Sequence, residues 1–80
     1  MKIKLEIDAK GLLCPLPVLK LRKKMESCTN GDIVKIIADD PAAVIDIPNF
    51  CNENNHDLIS SKLLDETSIR NPLREFLVKK

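Results

Sequence analysis

The stretch Gly11-Leu12-Leu13-Cys14-Pro15-Leu16-Pro17-Val18-Leu19 constrains this chain more than any other. Upstream of it, Ile3, Leu5 and Ile7 alternate with Lys4, Glu6 and Asp8, the period-two pattern of a half-buried strand. Downstream, apolar residues recur at helical spacing. The chain changes period within a few residues, and a cysteine followed by two prolines marks the change. Proline presets φ and is tolerated in a first helical turn, so the junction predicts a stiffened helix start. With Cys14 as N-cap, Pro15, Leu16 and Pro17 are the first three helical residues. Of these three, Leu16 alone has an N–H free to face the sulfur, although a residue before proline resists α geometry.

Helix N-termini favour negative charge and lower thiol pKa values, and the thiolate is the reactive form of cysteine. The stretch reads as a rigid pedestal for one exposed, acidified thiol at Cys14, with Gly11 supplying the turn before it. The competing reading is a small buried hydrophobe beside an ordinary proline-started helix.

The rest of the chain supplies a frame for this junction. The first helix is expected from about Pro15 to Ser27, stopped by Thr29-Asn30-Gly31-Asp32. Val18, Leu21, Met25 and Cys28 form its buried stripe, which makes Cys28 structural. Leu16 and Leu19 project away from that stripe, with Lys20 and Lys23 near them and Arg22 and Lys24 on the flanks. Outward leucines set among basic residues one turn from the cysteine look like a docking patch; against this, isolated exposed leucines are normal.

Ile33-Val34-Lys35-Ile36-Ile37-Ala38 is a β-branched run suited to an interior strand. Asp40 and Pro41 form an N-cap and first-position pair for a second helix. Val44, Ile47 and Cys51 share a face of it, Pro48 implies a kink or a restart capped by Asp46, and Asn52-Glu53-Asn54-Asn55 ends it. Cys51 reads as core. Leu58–Leu64 and Arg74–Lys79 are expected strands, separated by polar residues 65–68 and the turn signal Asn71-Pro72. The order βαβαββ predicts an α+β two-layer sandwich: two helices on one face of a four-stranded mixed sheet, the other face more exposed.

Eighty residues suffice for one small domain, 1–80, with a marginal core. No apolar run is long enough to span a membrane, and the alternating, charged start does not read as a signal peptide. A net charge of +1 and two phenylalanines as the only aromatics speak against direct nucleic-acid binding. Cys14, Cys28 and Cys51 contain no CxxC pair, and His56, expected on the solvated surface, does not complete a zinc set. No metal and no cofactor is expected, and the cysteine usage fits a reduced, cytoplasmic compartment.

Three segments, taken together, resemble one family: Asp8-Ala9-x-Gly11-Leu12-x-Cys14-Pro15-x-Pro17, then Ile37-Ala38-Asp39-Asp40-Pro41-Ala42, then Asp46-Ile47-Pro48-x-Phe50-Cys51. The chain is similar over nearly its whole length to the TusA/SirA-like sulfur carriers with the CPxP motif. That resemblance implies that Cys14 accepts sulfane sulfur as a persulfide from a donor such as a cysteine desulfurase. It implies onward transfer to an acceptor, often of the DsrE type, with 2-thiolation of a tRNA wobble uridine as one endpoint. By matching position, Asp40 falls in the loop placed near the active cysteine, and Arg22 at a basic helix position associated with partner contact. Two positions depart from the pattern: Leu16 replaces a spacer that is often acidic, and Asn49 stands where glycine is frequent.

Two other classes compete with the carrier. A binding module for RNA or protein would use the basic face of the first helix and leave Cys14 incidental. A thiol redox protein would need a resolving cysteine, which the spacing does not provide.

Overall fold

A computed structural model describes residues 3–65 and 72–80. The elements run β1 (Ile3–Ala9), α1 (Leu16–Glu26), β2 (Ile33–Ala38), α2 (Ala43–Glu53), β3 (Asp57–Asp65) and β4 (Leu73–Lys79). The sheet order is β1-β2-β4-β3. β1 and β2 are parallel, joined through α1, while β4 runs antiparallel to both β2 and β3. The βαβαββ order and the mixed four-stranded sheet agree with the pattern of periods, and both bounds of β2 coincide with the β-branched run.

The alternation in each strand sorts its side chains between two unequal faces. Ile7 and Ala9 on β1, Val34, Ile36 and Ala38 on β2, and Phe76 and Val78 on β4 are buried beneath the helices. Pro17, Leu21 and Met25 from α1 and Ala43, Ile47, Phe50 and Cys51 from α2 close the core from above. Cys28 is buried just beyond the end of α1, as its place on the apolar stripe requires.

The opposite face carries a line of alternating charge. Lys35 reaches Glu6 at 3.6 Å and Glu75 at 4.0 Å, and Lys62 reaches Glu75 at 3.9 Å. These pairs cross all four strands, set among the half-buried Ile33, Ile37, Leu73 and Leu77 of the same face. Edge strand β3 carries two irregularities in its pairing, a feature that discourages further strand addition.

Helix bounds differ from expectation at both proline sites. α1 begins at Leu16 with Pro15, not Cys14, at the N-cap position. α2 begins at Ala43, preceded by a tight turn in which the Ala43 N–H donates to the Asp40 carbonyl and the Ala42 N–H to Asp40 Oδ1 at 3.1 Å. Asp40 therefore caps the entry turn rather than the helix itself. α2 continues through Pro48 without a restart; that proline lacks the N–H that would bond the Val44 carbonyl. The polar connection expected at 65–68 begins with Asp65, the last residue of β3, and otherwise lies outside the described residues, as does Asn71 of the expected turn.

The C-terminal turn of α1 is held from a distance. Lys80 Nζ donates to the Met25 and Cys28 carbonyls, each at 2.7 Å, which places a cation at the negative end of the helix. His56, in the turn after α2, is half-buried with its ring 5.5 Å from Phe50. Burial first, then Lys80, lowers its pKa, so it is a packed neutral ring rather than the solvated one expected.

Candidate functional site

Ala9 and Ala38 are register partners at the carboxyl ends of the parallel pair, so the loops after β1 and β2 emerge side by side. Crevices at the carboxyl ends of parallel strands are the usual ligand sites of such sheets. Here the two loops are stapled together by two adjacent aspartates. Asp39 Oδ1 accepts the Gly11 N–H at 3.0 Å, and Asp40 Oδ2 accepts the Cys14 N–H. Gly11 adopts φ +81°, a left-handed conformation that side chains disfavour, and this turns the chain back toward α1. The Leu12 N–H closes the turn on the Ala9 carbonyl at 3.2 Å.

This framework presents Cys14 to solvent, while Cys28 and Cys51 are buried; all three are free thiols. Burial pushes the Cys51 thiol up to about 11, which removes it as a nucleophile near neutrality. Cys14 Sγ donates a hydrogen bond to Asp46 Oδ2 at 2.8 Å, from the first turn of α2.

The electrostatics reverse one expectation. The thiol pKa of Cys14 is raised, first by the hydrogen bond to Asp46, then by partial desolvation and by the charges of Asp46 and Asp40. The depressed pKa expected of a cysteine at a helix N-terminus is therefore corrected. Cys14 lies one residue before the cap, and the Leu16 N–H, expected to face the sulfur, instead bonds the Leu13 carbonyl at 2.8 Å. The hydrogen bond to Asp46 and the two nearby carboxylates hold the proton on Sγ. Asp40, in the loop that the family resemblance places near the active cysteine, grips the Cys14 backbone, and its charge opposes ionisation.

The sulfur stands at one end of a groove of about 330 Å³ between α1 and α2. Pro15, Val18 and Arg22 line it from α1 and its cap; Asp46, Asn49, Phe50, Glu53 and Asn54 line it from α2 and its end. A second hollow of about 230 Å³ shares Arg22, Phe50 and Asn54 with the first and extends it toward His56 and Lys80.

The other expected site residues distribute as follows. Pro15 is exposed beside the sulfur, and Pro17 is buried as the anchor of the α1 start. Leu16 and Leu19 stand about half exposed (49% and 50%), with Arg22 and Lys23 exposed near them. Lys20 is exposed, but its Nζ donates to the Asp8 carbonyl at 2.9 Å and so ties α1 to β1. Sequence reasoning missed Asp46, read there as a helix cap. The available signal was the spacing of Asp46, Asn49, Phe50 and Glu53 at i, i+3, i+4 and i+7, one face of α2.

Among the described residues no group of three or more His, Cys, Asp or Glu is arranged to hold a metal ion, and no helix is long and apolar enough to cross a membrane.

These features define a class: a small α+β fold that presents one exposed thiol where two parallel strands end and two helices part. The chain belongs to the sulfurtransferase TusA family, whose family model matches residues 5–70. Its fold is similar to that of the SirA-like protein from Desulfitobacterium hafniense, with a TM-score of 0.66 at 21% identity over 92% of this chain and 95% of that one.

Proposed function

We propose that this protein is a sulfur carrier whose working atom is Cys14 Sγ. It accepts sulfane sulfur from a donor persulfide, such as that of a cysteine desulfurase, and hands it to an acceptor protein of the DsrE type. Synthesis of tRNA 2-thiouridine is one endpoint such a relay can serve, alongside cofactor biosynthesis and sulfur oxidation. The observation that carries the reading is the exposure of one thiol, on a loop stapled by Asp39 and Asp40, in a chain of the TusA family.

The chemistry asks for little beyond this. The Cys14 thiolate attacks the outer sulfur of the donor persulfide, a new S–S bond forms on Cys14, and the donor's S–S bond breaks. The donor sulfur leaves as a thiolate and takes up the proton that Cys14 lost. A second exchange of the same kind passes the sulfur on, with no net oxidation and no cofactor. Both reaction partners are proteins, so access matters more than an enclosed pocket. The groove beside Cys14 supports entry of a partner segment, and Leu16, Leu19, Arg22 and Lys23 supply the surrounding contact surface, with Lys20 contributing through its stem.

The test is transfer of labelled sulfur from a cysteine desulfurase to the wild-type chain and to Cys14→Ser. The wild type gains one sulfur atom, removable by reductant, and the folded variant gains none. Equal labelling of the two overturns the assignment.

A further inference from the structure

The exposed thiol is accompanied by the wrong charge for a nucleophile. Its hydrogen-bond acceptor is a carboxylate on a different element, 2.8 Å away across the mouth of the groove. A second carboxylate, that of Asp40, grips the same residue's N–H. Arg22 and Glu53, opposite in charge, also line the groove. Among the described residues neither offsets the two aspartates, since every influence found on the sulfur acts to keep the proton in place. The isolated protein rests as a thiol, while transfer needs a thiolate.

We propose that Asp46 is a positioning residue that locks Cys14 at rest, and that the lock opens when the sulfur-donating protein presents a cationic side chain to the Asp46 carboxylate. This rests on the carrier reading and adds to it a chemical requirement on the donor. A lysine or arginine placed beside the donor's persulfide would pair with Asp46, neutralise the nearest negative charge and free the sulfur to lose its proton. Charge complementarity then acts as a selector: a donor without such a cation meets a protonated, poorly reactive thiol. The same arrangement lets the free protein survive oxidants, because the thiol is far less readily oxidised than the thiolate.

Small disulfides of differing charge probe the lock directly, since each reacts with Cys14 by the same exchange and releases one thiolate. Cystamine is dicationic, 2-hydroxyethyl disulfide neutral and dithiodiglycolate dianionic. For the wild type at low salt, cystamine reacts about fivefold faster than the neutral reagent, the size expected of a solvent-screened charge pair at contact distance. The dianion reacts more slowly than either, and the differences shrink as salt rises. In Asp46→Asn the cation's advantage falls to near unity and the neutral reagent reacts faster than with the wild type. Glu6→Gln, which removes a charge from the opposite face of the sheet, keeps the wild-type order.

Equal rates for the three reagents with the wild type overturn the proposal with no variant needed. So does an undiminished preference in folded Asp46→Asn. Loading of the wild type by a cysteine desulfurase and cysteine, followed by intact mass, separates the two readings. Failure to gain a sulfur atom overturns the carrier reading, whereas normal loading with no charge preference overturns the lock alone.

Discussion

Cys14 Sγ lies 2.8 Å from Asp46 Oδ2, thirty-two positions away in the chain, and donates its proton to that oxygen. The pairing joins the loop after β1 to the first turn of α2, so the chemistry of the sulfur depends on how the second helix is seated.

The first consequence concerns pH. A thiol hydrogen-bonded to a carboxylate is stabilised in its protonated form, so its titration lies above the ordinary thiol value of 9.0. Alkylation of Cys14 by iodoacetamide should therefore keep rising with pH and level off only above that value. In Asp46→Asn the inflection should move down and the rate at neutral pH should increase. An inflection below 9.0 in the wild type contradicts the hydrogen bond.

The aspartate staple is structural. Asp40→Ala removes the acceptor for the Cys14 and Ala42 N–H groups together, at a cost of about 1 kcal/mol per hydrogen bond. Hydrogen exchange should show faster exchange at the Cys14 amide, with β2 and β4 little changed. Unaltered protection at that amide would remove Asp40 from the framework.

Two leucines on α1 separate folding from docking. Leu21 is wholly buried and Leu19 is half exposed. Leu21→Ala should lower stability by about 2–5 kcal/mol in denaturant unfolding, the range for a truncated core residue. Leu19→Glu should stay within about 0.5 kcal/mol of the wild type, as surface changes usually do, while weakening transfer to a protein acceptor. Comparable losses of stability in the two variants would place Leu19 in the core.

Acid should loosen the turn after α1. Asp32 accepts bonds from the Thr29 N–H at 2.9 Å and hydroxyl at 3.1 Å, and the backbone bond leads in lowering its pKa below 3.8. A depressed carboxyl pKa contributes stability that is present above the unfolded value and lost as pH falls through the folded one. Asp32→Asn should lower stability near neutrality, where the charged carboxylate contributes, and flatten the profile below about pH 4. An identical acid profile in the two proteins would exclude the contribution.

How much of this was legible beforehand follows from the range of each interaction. The strands and helices were readable because their signals are local: Ile3, Leu5 and Ile7 alternate, and Val18, Leu21, Met25 and Cys28 repeat at helical spacing. The exposed cysteine was readable too, since the prolines after it punctuate the chain. Its ionisation was not. That depends on Asp46, which reaches the sulfur because Ala43 and Ile47 bury the adjoining face of α2 and turn residue 46 to the groove. The fate of the Leu16 N–H was hidden for a similar reason. The turn closing on Leu13 consumes it, and no helix-start rule applied to Cys14 alone anticipates that turn.

Intact mass spectrometry after incubation with a cysteine desulfurase and cysteine tests the central claim most directly. The account predicts a species heavier by one sulfur atom, with the added atom mapped to Cys14 and released by reductant. A wild-type chain that remains at its unmodified mass, or that carries the sulfur on Cys28 or Cys51, contradicts it.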